Sequence, residues 1–221
     1  MSIEIKKRIL TSIPLILILL SIFFSNIALL FFLIIISVIS FLEFTNLILK
    51  IYKKKIIYAF IFNFIFALYI FSFSSCFFIF SQFTSLKNLI FLALLICIFS
   101  DIGGLIFGKF FKGPKLTRIS PNKTISGSLG SFLFAFLITY MISNFSGSIF
   151  SFYVPLILSF FVSFTCQCGD LFFSYIKRKA NVKNTGNFLP GHGGFLDRID
   201  GILFGIPFGI LFSSIILGLL K

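Results

Sequence analysis

The feature that most constrains the fold of this chain is a series of long apolar runs separated by short polar stretches. Seven runs follow one another along the 221 residues, at 9–24, 27–42, 56–80, 89–100, 131–143, 154–164 and 202–220. With their flanks, many of them reach the roughly 20 residues that a helix needs to cross a hydrocarbon core. A hydrophobic fraction of 58% and a mean hydropathy of +1.13 exclude a soluble globular domain, because such a domain needs a charged surface. The sequence therefore predicts an integral membrane protein.

The secondary structure of these runs follows from the lipid around them. Every backbone polar group in lipid must be bonded within the protein, so only helices or a closed barrel can span the membrane. The runs are continuous and lack the alternation of apolar and polar residues that is typical of a barrel strand. We predict an all-α fold, a polytopic bundle of about 7 to 9 membrane-embedded helices.

The placement of the basic residues predicts an orientation. The net charge of +13 comes from clusters between the apolar runs, at 6–8, 50–55, 109–123 and 177–183. Basic clusters between membrane spans are typical of cytoplasmic loops, so the charge does not indicate a nucleic-acid partner, and we expect none. An even number of predicted spans separates each cluster from the next, so all four lie on one side, which the positive-inside rule makes cytoplasmic. The expected location is a cell inner membrane, which the chain crosses several times.

Four of the six acidic residues are predicted to be functional. They lie within or at the edge of apolar runs, where an ionised carboxylate is costly and a function is the default hypothesis. These four are Asp101, Asp170, Asp197 and Asp200. A structural alternative stays open for each of them, namely an ion pair with Lys or Arg or a helix cap. Glu4 and Glu43 are predicted to be interfacial flanking residues without a special role.

The spacing of Asp197 and Asp200 predicts a cation site. Residues three apart share one face of a helix, so the two carboxylates can bind one ion. Carboxylate oxygens are hard ligands, and Mg²⁺ takes one or two of them while it keeps waters and substrate phosphates. Arg198, between the two, carries the permanently charged fork that suits phosphate oxygens.

Glycines surround the only histidine of the chain in "PGHGG", residues 190–194. Successive backbone N–H groups in such turns form anion-binding nests, so His192, Gly193 and Gly194 are predicted to contact phosphate.

A second glycine-rich stretch, 100–130, interleaves glycines with Lys and Arg after Asp101. Ser120, Lys123 and Thr124 supply donors around a rigid proline there. This texture suits a polyphosphate ligand, although the stretch is not a P-loop.

At these positions the chain resembles the phosphatidate cytidylyltransferases, or CDP-diacylglycerol synthases. The family signature is matched by "SYIKRKANVKNTGNFLPGHGGFLDRID", residues 174–200. Gly169 and Asp170 match its upstream Gly-Asp, and residues 120–124 match its Ser-Pro-x-Lys-Thr element. The resemblance implies a nucleotidyltransferase that uses CTP, phosphatidate and Mg²⁺, with a second ion such as K⁺ left open. It also implies a site that faces the cytoplasm.

The resemblance implies a role for each matched residue. The metal ligands and catalytic acids are Asp170, Asp197 and Asp200, with Lys177 and Arg198 as catalytic cations. The substrate-binding residues are Asp101, Ser120, Lys123, Thr124, Arg178, Lys183, His192, Gly193 and Gly194. The N-terminal transmembrane helices occupy 1–95, and the catalytic transmembrane region occupies 96–221. Membrane lipid and a second copy of the chain, in a homodimer, are the remaining expected partners.

Two departures from the family pattern keep one alternative open, and the intramembrane aspartates keep another. Asn184 stands where the family usually has Asp, and Phe173 stands where it commonly has an acidic residue. A degenerate, non-catalytic homologue is one alternative. A cation-coupled transporter, whose intramembrane aspartates bind the ion, is the other.

Overall fold

The computed structural model describes residues 21, 23–145, 152–186 and 193–219. This part of the chain contains six helices. They are α1 (Asn26–Ile51), α2 (Ile56–Ser81), α3 (Thr84–Phe111), α4 (Ile125–Phe145), α5 (Tyr153–Lys179) and α6 (Leu196–Leu219). Apart from them, Lys115 and Thr124 form an isolated β-bridge, and the described residues contain no strand longer than this. The prediction of an all-α fold is confirmed.

Five of these helices, α1 to α5, are long and apolar enough to cross a membrane. Each contains one of the predicted apolar runs, and the run 56–80 forms the single helix α2. The number of 7 to 9 helices is not confirmed within the described residues. The first predicted run, 9–24, lies almost entirely outside them.

The apolar residues of these helices face outward as well as inward. In the most apolar window of α2 only 17% of the residues are buried inside the protein, and Phe60 and Phe71 are largely exposed. An exposed apolar surface of this extent is unfavourable in water but not in lipid. The surface therefore supports the assignment as a membrane protein.

The described residues group into two compact units. The first comprises those within Met1–Lys87 and Ile176–Ile199. In this unit α1 packs on α2 through the stacked rings of Phe44 and Phe66, whose centroids are 3.9 Å apart. The hydroxyl groups of Ser37 and Ser74 form a hydrogen bond of 2.7 Å between the same helices. The last residues of α5 and the first turn of α6 also belong to this unit, so the unit contains most of the family signature.

The second unit comprises the described residues within Asn88–Tyr175 and Asp200–Lys221. Here α3 and α4 approach closely because both lack side chains where they meet. A Cβ atom added to Gly103 would overlap the carbonyl oxygen of Gly130 and lie 2.7 Å from Cβ of Phe134. Small residues at such a crossing allow the backbones of membrane helices to pack. The predicted division at residue 95 concerns function and stays a prediction.

Candidate active site

In the first unit, Asp197 is the centre of a compact polar cluster at the start of α6. Its Oδ1 accepts a hydrogen bond of 2.7 Å from Nζ of Lys177, near the end of α5. Its Oδ2 accepts bonds from the backbone N–H groups of Thr185, at 2.9 Å, and Gly194, at 3.1 Å. The Lys177 and Asp197 side chains are only 12% and 13% exposed. The structure thus brings two residues of the predicted site into direct contact.

The local sequence explains this geometry. An acid three residues after the start of a helical turn can reach back to a free N–H group, as in a capping box. Asp197 does so to Gly194. Gly193 has a φ of +83°, a left-handed conformation that favours glycine. The predicted contact of Gly193 and Gly194 with phosphate stays a prediction, and the Gly194 N–H donates to Asp197 in this structure.

Glu43 also belongs to this cluster, which the sequence reasoning missed. The residue lies on α1 and is 6% exposed. Its Oε1 accepts a bond of 2.9 Å from the Phe195 N–H, and its Oε2 accepts bonds from the Leu196 N–H, at 2.8 Å, and the Thr185 hydroxyl, at 2.7 Å. The expectation that Glu43 is an interfacial flanking residue is therefore wrong, because its side chain is buried and bonded within the protein. The signal was an acid inside a long apolar segment, since α1 continues to Ile51.

In the second unit, Asp170 on α5 forms the other cluster. Its Oδ2 accepts a bond of 2.7 Å from Nζ of Lys123, and the two side chains are 19% and 30% exposed. Asp101 on α3 interacts electrostatically with both of them. Asp200 on α6 is buried, and its Oδ1 accepts a bond of 3.0 Å from the Gly201 N–H.

Glycines let α5 and α6 approach at this point in the second unit. A Cβ atom on Gly201 would lie 2.8 Å from Oδ1 of Asp170, and one on Gly169 would lie 2.7 Å from the carbonyl oxygen of Asp200. The pairs Gly169-Asp170 and Asp200-Gly201 are therefore in contact. Gly169 and Gly201 therefore allow α5 and α6 to pack closely.

The turn before α4 presents Lys123 to Asp170. The Lys123 N–H donates to the Ser120 carbonyl at 3.0 Å, and the Lys123 carbonyl accepts from the Leu116 N–H at 2.8 Å. Thr124 caps α4, because its hydroxyl accepts a bond of 3.0 Å from the Gly127 N–H. The predicted substrate contacts of Ser120 and Thr124 stay predictions.

Comparison with known proteins assigns the family. The model of a family described as "Cytidylyltransferase family" matches residues 6–216. This chain belongs to the cytidylyltransferase family. The resemblance seen in the signature is thereby confirmed.

Three similar proteins are named phosphatidate cytidylyltransferase. The protein from Helicobacter pylori is 39% identical over 114 residues, 51% of this chain and 42% of its own length. The protein from Rickettsia typhi is 42% identical over 142 residues, 58% of this chain and 60% of its own length. The protein from Bacillus subtilis is 36% identical over 137 residues, 58% of this chain and 51% of its own length. The chain spans about half the length of the curated relatives it matches.

The remaining predicted cations of this cytidylyltransferase chain, and the two residues that depart from the family pattern, differ in their exposure. Arg178, Lys183 and Arg198 are exposed, as is Asn184 beside Gly193. Phe173 is fully buried and packs edge-on against the ring of Phe204. His192 lies outside the described residues.

The aspartates fit a magnesium ion by their chemistry, because carboxylate oxygens are the ligands that this ion prefers. Over the described residues no group of three or more His, Cys, Asp or Glu side chains is arranged to hold a metal. Asp170 and Asp197 instead each pair with a lysine. The magnesium site stays a prediction.

Proposed function

We propose that this protein transfers the cytidylyl group of CTP to phosphatidate, which gives CDP-diacylglycerol and pyrophosphate for phospholipid synthesis. The observation that carries the proposal is that residues matched to the family motifs form both partly buried Asp–Lys pairs, Lys177–Asp197 and Lys123–Asp170. The names of three relatives add support, since each is called a phosphatidate cytidylyltransferase.

The reaction needs charge stabilisation more than proton transfer. A phosphate oxygen of phosphatidate attacks the α-phosphorus of CTP, and the bond from this phosphorus to the bridging oxygen breaks to release pyrophosphate. Phosphoryl and nucleotidyl transfers depend mainly on positioning and on neutralising the phosphate oxygens. Lys177 and Arg198 take the neutralising role in this proposal.

Asp170, Asp197 and Asp200 are the proposed ligands of Mg²⁺. Binding of a second ion such as K⁺ is left open. A bound Mg²⁺ supplies neutralisation and orientation of the triphosphate. The carboxylates place negative charge where the cation binds, and the paired lysines balance that charge in the protein.

The remaining substrate contacts are proposed from the signature. Their residues are Asp101, Ser120, Lys123, Thr124, Arg178, Lys183, His192, Gly193 and Gly194. CTP reaches these residues from the cytoplasm, and phosphatidate reaches them from the lipid of a cell inner membrane. The helix number of about 7 to 9 is part of the proposal. A homodimer completes the proposal.

The proposal is tested by pyrophosphate release from purified protein in detergent with phosphatidate, CTP and Mg²⁺. We expect release that requires both substrates and that falls about 100-fold or more in Asp197→Asn and Asp170→Asn, because each variant removes a charge from the reaction centre. Ser37→Ala, which loses a hydrogen bond between α1 and α2, is the matched control and keeps its activity.

Other outcomes contradict the proposal. A folded wild-type protein that releases no pyrophosphate at any CTP concentration indicates the non-catalytic homologue. Cation-driven movement of a solute into proteoliposomes without pyrophosphate release indicates the transporter.

A further inference from the structure

We propose that Glu43 is a positioning residue for Asp197. From α1, its buried carboxylate fixes Thr185 and the first residues of α6, and this keeps the backbone N–H groups that bind Asp197 in place. The inference deepens the proposed function and rests on it for its catalytic part. It concerns residues of the first unit only.

The contacts of Glu43 join two stretches of chain to α1. One of its oxygens binds the N–H group of Phe195, and the other binds the N–H group of Leu196 and the hydroxyl of Thr185, all within 2.9 Å. Thr185 belongs to the stretch that follows α5, whereas Phe195 and Leu196 lie at the start of α6. A single side chain therefore ties the entry of α6 to a residue ten positions earlier.

The same donors connect Glu43 to Asp197. Thr185 is shared, because its hydroxyl donates to Glu43 while its N–H donates to Asp197. Three successive N–H groups at the start of α6 are divided between the two carboxylates: Gly194 donates to Asp197, and the next two residues donate to Glu43. A displacement of the Glu43 carboxylate therefore disturbs both backbone donors that hold Asp197.

The backbone closes tightly around this carboxylate. A Cβ atom on Gly186 would lie 2.6 Å from Oε1 of Glu43, and one on Gly194 would lie 2.7 Å from Oε2. Glycine at both positions is what allows the approach. A side chain at either position would therefore displace the carboxylate or the backbone that binds it.

This position requires a side chain with two acceptor oxygens, because three donors point at it. The first N–H groups of a helix carry partial positive charge and stabilise an anion. A glutamine in its place has one acceptor oxygen, and in either orientation its NH₂ group faces a backbone N–H group, that of Phe195 or that of Leu196. Glu43→Gln thus keeps the size of the side chain and removes the arrangement.

The first test compares kinetics and stability of Glu43→Gln with Ser37→Ala, a variant on the same helix. We expect kcat to fall about 10- to 100-fold in Glu43→Gln, the range found when a group that orients a ligand side chain is lost, with little change in KM for CTP. Thr185→Val has part of this effect, and Thr185→Ser restores the hydroxyl and the rate. The double variant Glu43→Gln with Thr185→Val loses little beyond Glu43→Gln alone, because both act through one connection.

The second test is independent of activity. Hydrogen–deuterium exchange of wild type, Glu43→Gln and Ser37→Ala measures protection of residues 193–199 and of residues 88–111 as a reference. We expect faster exchange at 193–199 in Glu43→Gln alone, with the reference segment unchanged. This result holds even if the wild type shows no cytidylyl transfer, a case that defeats the proposed function but not the positioning of Asp197.

Two results overturn the inference. One is wild-type exchange at 193–199 in folded Glu43→Gln. The other applies to an active wild type. It is a loss of rate that follows the loss in melting temperature in the same way in Glu43→Gln and in Ser37→Ala. If Glu43→Gln does not fold, Thr185→Val decides in the same assays.

Discussion

Asp170 and Asp197 each face a lysine ammonium group at 2.7 Å, in polar clusters on helices that also contain long apolar segments. An ionised carboxylate that is mostly buried is costly to leave unpaired. The lysines therefore contribute to stability as well as to the proposed chemistry. The predicted alternative of ion pairing is realised at both aspartates, and it does not exclude a function, because phosphates and cations compete for the same charges.

Lys123→Met tests whether the paired lysine contributes to stability. The variant leaves Asp170 without its partner, so we expect the free energy of unfolding to fall by about 1 to 3 kcal/mol, toward the low end because 30% of the Lys123 side chain is exposed. Turnover falls as well. Lys109→Met, which removes a charge from an exposed position at the end of α3, is the control. Thermal unfolding in detergent measures both variants, and equal melting temperatures would contradict the account.

At the scale of elements, the apolar runs predicted the positions of the helices well, because hydropathy is the property that decides which segments enter lipid. The end of α1 was missed. The helix continues nine residues past the predicted run 27–42, since the polar residues there bond internally: the Thr45 hydroxyl donates to the Phe41 carbonyl at 2.7 Å, and Glu43 binds the start of α6. A run defined by hydropathy ends at such residues, whereas the helix does not.

Gly103→Ala tests the crossing of α3 and α4. The added methyl group overlaps the Gly130 carbonyl oxygen, so the helices must separate, and we expect a destabilisation of about 1 to 3 kcal/mol. Gly218→Ala in α6 is the matched control, because a Cβ atom there meets nothing within 4 Å. This control should keep or slightly raise the melting temperature, since alanine favours a helix by up to about 1 kcal/mol over glycine. A Gly103→Ala protein as stable as Gly218→Ala would refute the close crossing.

At the scale of the whole molecule, the sequence predicted the family and most residues of the two clusters, because the signature keeps them at fixed spacings. It did not predict how they pair. Glu43 is 142 residues from Thr185 in sequence, and the spacing within the signature carries no information on such a contact. The glycine contacts between α5 and α6 were likewise invisible, since they depend on how two helices cross.

The orientation of the molecule is tested with single cysteines in a chain whose four native cysteines are replaced. Lys54 lies in the turn before α2 and Thr84 follows its end, and both are exposed. Because α2 is one unbroken apolar helix, we expect Lys54→Cys to react with an impermeant thiol reagent only from the cytoplasmic face and Thr84→Cys only from the other face. Labelling of both from one face would contradict the topology.

The central claim, cytidylyl transfer to a lipid phosphate, is tested most directly by the fate of labelled CTP in proteoliposomes that contain phosphatidate. The account predicts that a ³²P label on the α-phosphate enters the lipid fraction as CDP-diacylglycerol, while a label on the γ-phosphate leaves as pyrophosphate in equal amount. Both the labelling of lipid and the release of pyrophosphate fall about 100-fold or more in Asp197→Asn. Release of label from the γ-phosphate without label from the α-phosphate in the lipid would show hydrolysis instead, and it would contradict the account.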